Sequence, residues 1–232
     1  MVAVEYPIEG DVCERCGYPL HGVERRGVCP ECGESVERSD PGRRVGLPWQ
    51  LRATPAGYLA TVARLVLRGE RSFDVLRLGG GLWRERLFLM INASLSGAVA
   101  VLLWRAAGYA GGGWLAVMMM AGSVGMTYVE AAGVAYVGRR DGWRLGWREA
   151  ERVACYASVG WPPAAAVIAK VLIVQEEHMR TGFWPRWWPQ AWFPASVSSD
   201  VIAVAVIACG AVMGFELLVW LGVQRVRYGN RR

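Results

Sequence analysis

Four cysteines, Cys13, Cys16, Cys29 and Cys32, stand in the pattern C-x2-C-x12-C-x2-C. The two-residue gap lets both sulfurs of a pair point at one ion. Gly17 and Gly33 each follow the second cysteine of a pair. A glycine there suits the positive φ needed for the chain to turn back beneath a metal. Four thiolates at about 2.3 Å in a tetrahedron make a structural zinc site. A module of about 40 residues has too small a core to fold alone, so metal binding would supply the missing stability. Iron in a rubredoxin-like site and two disulfides are the alternatives for the same residues; the paired knuckles favour tetrathiolate ligation. His21 lies between the knuckles as a further candidate ligand, but four cysteines already complete a site. With no open coordination position, the metal is expected to be structural. Cys155 and Cys209 lie in apolar runs and read as inert buried thiols.

The stretch Cys13-x-x-Cys16-Gly17-Tyr18-Pro19-Leu20-x-Gly22-Val23, with Cys29-Pro30-Glu31-Cys32-Gly33, resembles the zinc-ribbon class. That resemblance implies a small β module that binds nucleic acid, binds protein or stabilises a chain end. Residues 1–40 carry nine acidic and four basic residues. Phosphate binding needs a basic footprint, so nucleic acid is disfavoured and a protein partner is expected.

A second group of polar residues sits in apolar surroundings: Asn92, Glu130, Tyr156, Ser158 and Glu216. Asn92, Glu130 and Glu216 each lie about six or seven residues from the inner end of an apolar run, which at 1.5 Å per residue is one shared depth. Tyr156 and Ser158 enter the same layer. Ionisable groups in hydrocarbon are costly and face a bundle interior or cavity. Two carboxyls at one depth could bind a cation or carry a proton. The simpler reading is a protonated or hydrogen-bonded set that fixes helix register. No nucleophile elbow, phosphate-binding glycine loop or His-Glu-x-x-His motif is present, so no reaction site emerges and a non-enzymatic protein is expected.

The elements that must position these residues follow from composition. The 232 residues are 53% hydrophobic and 20% charged, with net charge +6 and mean hydropathy +0.22. A soluble domain is about 45–50% apolar and roughly 25% charged. The apolar excess is concentrated in long uncharged runs, Leu87–Trp104, Ala106–Val129, Val153–Ala169 and Val201–Phe215. Crossing ~30 Å of hydrocarbon takes about 20 mostly apolar residues. Four spans are therefore expected, at about 87–105, 114–137, 153–174 and 201–223. Pro162-Pro163 interrupts the third by removing the amide partners of the Ser158 and Val159 carbonyls. The Trp- and Pro-rich segment 183–194 cannot be a continuous helix and is placed along the outer surface.

Arginines set the expected orientation. Residues 43–86 hold nine, 138–152 five and 224–232 four, against Arg105, Lys170, Arg180 and Arg186 on the other side. By the positive-inside rule this places both termini in the cytoplasm and the protein in the inner membrane. The expected fold is thus an all-α multi-pass membrane bundle of about four transmembrane helices, preceded by a small zinc-ribbon β module at 1–40. A linker covers 41–54, basic amphipathic helices 55–86, the membrane domain 87–223 and a basic cytoplasmic tail 224–232. Thr54-Pro55 reads as a helix start, and the helix is expected to break near Gly69 or at Gly79-Gly80-Gly81. Arg64, Arg68 and Arg71 fall at i, i+4 and i+7, either packed on their own domain or facing anionic headgroups in the membrane interface. The Gly210-x-x-x-Gly214 spacing would permit close helix contact and leaves homo-oligomerisation open.

Residues 55–223 resemble the Yip superfamily of multi-pass membrane proteins. Three features carry this: the Pro-led amphipathic helix with Phe73 before the first span, the loop Gly138-Arg-Arg-Asp-Gly-Trp-Arg-Leu-Gly-Trp147, and Ala154-Cys155-Tyr156-Ala157-Ser158, similar to the family's Tyr-Ala-Ser signature. The family commonly has five spans, and the Trp/Pro segment stands where the extra one is expected. Eukaryotic members bind small GTPases and act in vesicle traffic. Bacterial relatives, often with a zinc ribbon, share no clear activity. The overall expectation is a scaffold presenting a cytoplasmic zinc ribbon to a protein partner, with a small-solute or ion path through Asn92, Glu130 and Glu216 as the alternative.

Overall fold

The computed structural model describes residues 11–181 and 199–230. The segment 183–194 lies outside the described residues. After the cysteine module come α1 (Pro48–Leu51), α2 (Pro55–Arg68), α3 (Trp83–Ala106), α4 (Gly113–Arg140), α5 (Trp147–Ala157), α6 (Trp161–Thr181) and α7 (Ser199–Val226). Among the described residues, three segments are long and apolar enough to cross a membrane: α3, α4 and the run Trp147–Val174. The fourth expected span falls inside α7, which is helical over 28 residues.

Local chemistry explains the boundaries. The Thr54 hydroxyl accepts the Gly57 N–H at 3.1 Å and Pro55 opens α2, as a capped N-terminus requires. Gly69, with φ 44°, ends the helix, and a 3-10 turn runs on to Val75. The expected break at Pro162-Pro163 is seen one turn earlier. Ser158–Gly160 forms a 3-10 turn, and both prolines then occupy the first turn of α6, where no amide partner is lost.

Two regions differ from the sequence expectation. Residues 41–54 read as a linker, yet Leu47, Trp49 and Gln50 are buried there and Pro48–Leu51 is helical. Residues 147–152 read as part of a basic loop, yet α5 begins at Trp147, with Glu149, Glu151 and Arg152 all buried.

The chain divides into two compact units. The first holds Met1–Phe88, Met126–Ala157 and Leu218–Arg232. Its apolar core includes Leu65, Phe73, Leu76, Phe88 and Val153, all without solvent exposure. Each such side chain contributes about 1.5–3 kcal/mol through burial. Gly222 of α7 has no room for a side chain, because a Cβ there would strike Val153 and Phe73. The second unit holds Leu89–Gly125 and Ser158–Leu217. In it Ala100, Leu115 and Ala169 pack together, and Trp161 stacks on Phe215 with centroids 4.5 Å apart. Gly97 sits against the Ala116 carbonyl, a close approach open only to a residue without a side chain. Trp104, Tyr109 and Trp114 cluster where α3 passes to α4.

Candidate metal centre

The two cysteine pairs form two knuckles with the same local geometry. In the first, the Cys13 N–H donates to the Tyr18 carbonyl at 2.8 Å and the Gly17 N–H to the Cys13 carbonyl at 2.8 Å. In the second, the Cys29 N–H donates to the Glu34 carbonyl at 2.7 Å and the Gly33 N–H to the Cys29 carbonyl at 2.9 Å. Gly17 and Gly33 have φ of 80° and 70°, the left-handed turn expected after each pair. Isolated antiparallel bridges, Val12 with Pro19 and Val28 with Ser35, close the knuckles; among the described residues no strand extends them.

The four sulfurs converge, all within 4.8 Å of one another. Cys13 and Cys32 are 3.6 Å apart, as are Cys16 and Cys29. A tetrahedron with 2.3 Å metal–sulfur bonds has edges of roughly 3.8 Å, so the residues fit a tetrathiolate ion. A disulfide needs about 2.05 Å, which these thiols do not approach. His21 is exposed and stands outside this set. Burial raises the Cys13 thiol pKa and pushes Cys16 up to about 12. Burial also raises Cys29, but the backbone N–H groups of Cys32 and Glu31 outweigh it and bring that thiol down to about 7. A bound cation would draw all four towards thiolate.

The first knuckle is held from outside the module. Arg44, itself buried, grips Glu14 at 3.0 and 2.7 Å. It also donates to the Phe73, Leu76 and Arg225 carbonyls. Asn230 reaches back 218 residues: its side chain accepts the Val12 N–H at 3.1 Å and donates to the Val12 and Ser39 carbonyls at 2.8 Å each. The Tyr228 ring lies over Gly17. The second knuckle has no such clamp around its glycine. Among the described residues nothing lies within 4 Å of the space a Gly33 side chain would fill, and Val28, Pro30 and Glu31 are exposed.

Among the polar residues expected in the apolar runs, Asn92 and Ser158 meet. The Asn92 amide donates to the Ser158 hydroxyl at 3.1 Å, and the Ser96 hydroxyl to the Asn92 carbonyl at 2.8 Å. Among the described residues the buried Tyr156 hydroxyl has no hydrogen-bond partner. Glu130 belongs to the first compact unit and Glu216 to the second; both are partly buried. Of the three arginines, Arg64 is partly buried, while Arg68 and Arg71 are exposed and separated by the Gly69 break.

A buried charge network escaped the sequence reading. Arg152 pairs with Glu85 at 3.0 Å, with 1% and 4% side-chain exposure. Arg152 also donates to the Arg77, Gly80 and Gly81 carbonyls. Gln50 donates to Glu85 at 3.0 Å and accepts the Leu47 and Arg77 N–H groups at 3.1 Å each. Beside it, Glu151 accepts from Arg86 at 2.7 Å and from the Tyr128 hydroxyl at 3.4 Å. The one available signal was opposite charges at the inner ends of two expected spans. No protein-family model matches the chain, and no curated protein or solved structure is significantly similar to it, so the Yip-type resemblance rests on its short motifs alone.

Proposed function

We propose that this chain is an integral membrane scaffold that holds a zinc-bound ribbon at the cytoplasmic face of the inner membrane for contact with a protein partner. The supporting observation is the unequal treatment of two equal knuckles. Asn230, Arg44 and Tyr228 fasten the first, while the second turns Val28, Pro30 and Glu31 to solvent. Zinc is structural in this reading, held by Cys13, Cys16, Cys29 and Cys32. α7 serves as the fourth span, and both termini lie on the arginine-rich side. The Asn92–Ser158 pair fixes register between α3 and the turn before α6; a transport path through Asn92, Glu130 and Glu216 draws no comparable support. No reaction is assigned.

The test compares affinity capture from detergent-solubilised membranes by intact protein and by a Val28→Asp, Glu31→Arg variant. Metal content of both is measured as a check on folding. The reading expects specific partners to be lost from the metal-replete variant. Recovery of the same partners by both proteins would sink it.

A further inference from the structure

Helix α2 turns an apolar face outward. Its inward residues are Gly57, Thr61 and Leu65, spaced by four. Its outward residues include Ala56, Leu59, Ala60, Ala63, Val66 and Leu67. Leu59, Val66 and Leu67 are 65%, 67% and 81% exposed. A helix on a water-facing surface carries polar residues on its outer side. From Pro55 to Ala63 there is no charge at all. Arg68 and Arg71 lie just beyond the apolar face and are exposed, while Glu70 between them is partly buried and accepts from Arg225 at 2.6 Å.

The position of α2 identifies what covers this face. Tyr58 packs on Phe88 with centroids 5.1 Å apart. The Trp49 backbone N–H donates to the Thr61 hydroxyl at 2.9 Å, and the Trp49 indole donates to the Arg84 carbonyl at 2.6 Å. These contacts fasten α2 to the first turns of α3, a segment able to cross a membrane. There the charged stretch Arg84-Glu85-Arg86 gives way to the uncharged run from Leu87. Trp83 and Leu87 are exposed at the same place, and an exposed indole at a span entrance marks headgroup level. An outward apolar face continuous with the start of a span, bordered by cations, matches the boundary between acyl chains and anionic headgroups.

We propose that α2 lies in the plane of the membrane interface, with its Ala56–Leu67 face in the acyl boundary and Arg68 and Arg71 on the phosphates of anionic lipids. The proposal is independent of any partner of the cysteine module. The occupant is lipid, not a second copy, because Arg68 and Arg71 complement phosphate and would repel their own counterparts across a symmetric contact.

The test uses the full-length, metal-bound protein in vesicles of phosphatidylcholine with or without phosphatidylglycerol. An environment-sensitive fluorescent amino acid replaces Leu59 or Leu67, and in a reference protein His21. Metal content confirms that each variant is folded. At Leu59 and Leu67 the expected result is blue-shifted emission, quenched by lipids brominated near the headgroup and insensitive to aqueous iodide; at His21 it is the reverse. Energy transfer to labelled phosphatidylglycerol reports local lipid enrichment. Arg68→Gln and Arg71→Gln should each weaken that enrichment by about fivefold at low salt. Iodide-accessible emission at Leu67 would overturn the proposal. So would blue-shifted emission without lipid quenching, or cross-linking of Leu67 to a second copy. Lipid enrichment unchanged by both arginine substitutions would remove the anionic-headgroup role.

Discussion

The two knuckles of the cysteine module share one backbone design and have opposite surroundings. Residues 12–19 and 28–35 repeat the same turn, the same left-handed glycine and the same closing bridge. Yet Gly17 lies under the Tyr228 ring, while Gly33 meets none of the described residues. Local sequence dictates the knuckle, because a metal-binding turn needs only its own four or five residues. What the knuckle touches is dictated by Glu14, whose counterpart sixteen residues on is Pro30. Glu14 accepts from Arg44 and from the Asn230 N–H at 2.8 Å, while a proline in its place offers no charge to a clamp.

Metal removal should abolish the comparison by unfolding both halves alike. Apparent binding energies of structural zinc in small modules are about 10–16 kcal/mol. Cys16→Ser and Cys32→Ser should therefore be equally damaging despite the different surroundings, read as metal content and protease resistance of residues 1–40. Protons compete for the same sulfurs. With Cys16 at about 12 and Cys29 at about 7 in the metal-free site, uptake near neutral pH displaces protons. Retention should weaken as pH falls and strengthen as it rises.

Arg44→Met should break the symmetry from the clamped side. It leaves Glu14 without its buried partner, and a broken buried pair costs about 3–5 kcal/mol. The first unit should unfold at a lower temperature while purified protein still holds metal. An unchanged unfolding midpoint would mean that the clamp contributes nothing.

A matched glycine pair sharpens the comparison further. Gly33→Ala meets no neighbour and should cost only the left-handed penalty, about 1–2 kcal/mol. Gly17→Ala carries that penalty and also presses on Tyr228, whose ring atoms come within 2.8 Å of the new carbon. Overpacking adds about 1–3 kcal/mol. The difference should shrink in a Tyr228→Ala background, measured by denaturant unfolding in detergent.

The smallest effect belongs to the open side. Glu31→Gln touches an exposed residue and should change stability by no more than about 0.5 kcal/mol. A larger loss would show that the second knuckle is also fastened.

Much of the architecture follows from the linear pattern. Uncharged runs locate α3 and α4 within a few residues, because a hydrocarbon-length stretch without charge has few other uses. Thr54 and Pro55 fix the start of α2, because caps act within one turn; the pattern leaves its end at Gly69 or at Gly79-Gly80-Gly81, and the helix stops at Gly69. Other elements misled. Pro and Gly between 41 and 54 suggested open chain, but Leu47 and Trp49 are core residues and Gln50 bridges three segments. Charges at 148–152 suggested loop, but Arg152 and Glu151 are buried because Glu85 and Arg86, far away in sequence, neutralise them.

The sequence by itself determined the four converging cysteine positions, the apolar segments and the capped start of α2. Each depends on spacing within one turn or on composition within one run. Only the tertiary structure decided which knuckle is fastened, that Arg152 meets Glu85, that Asn92 meets Ser158 and that the outer face of α2 is apolar. Those outcomes depend on partners 12 to 218 residues apart. A polar side chain carries no mark of its distant partner; it acquires one when packing removes water and leaves a single group within reach.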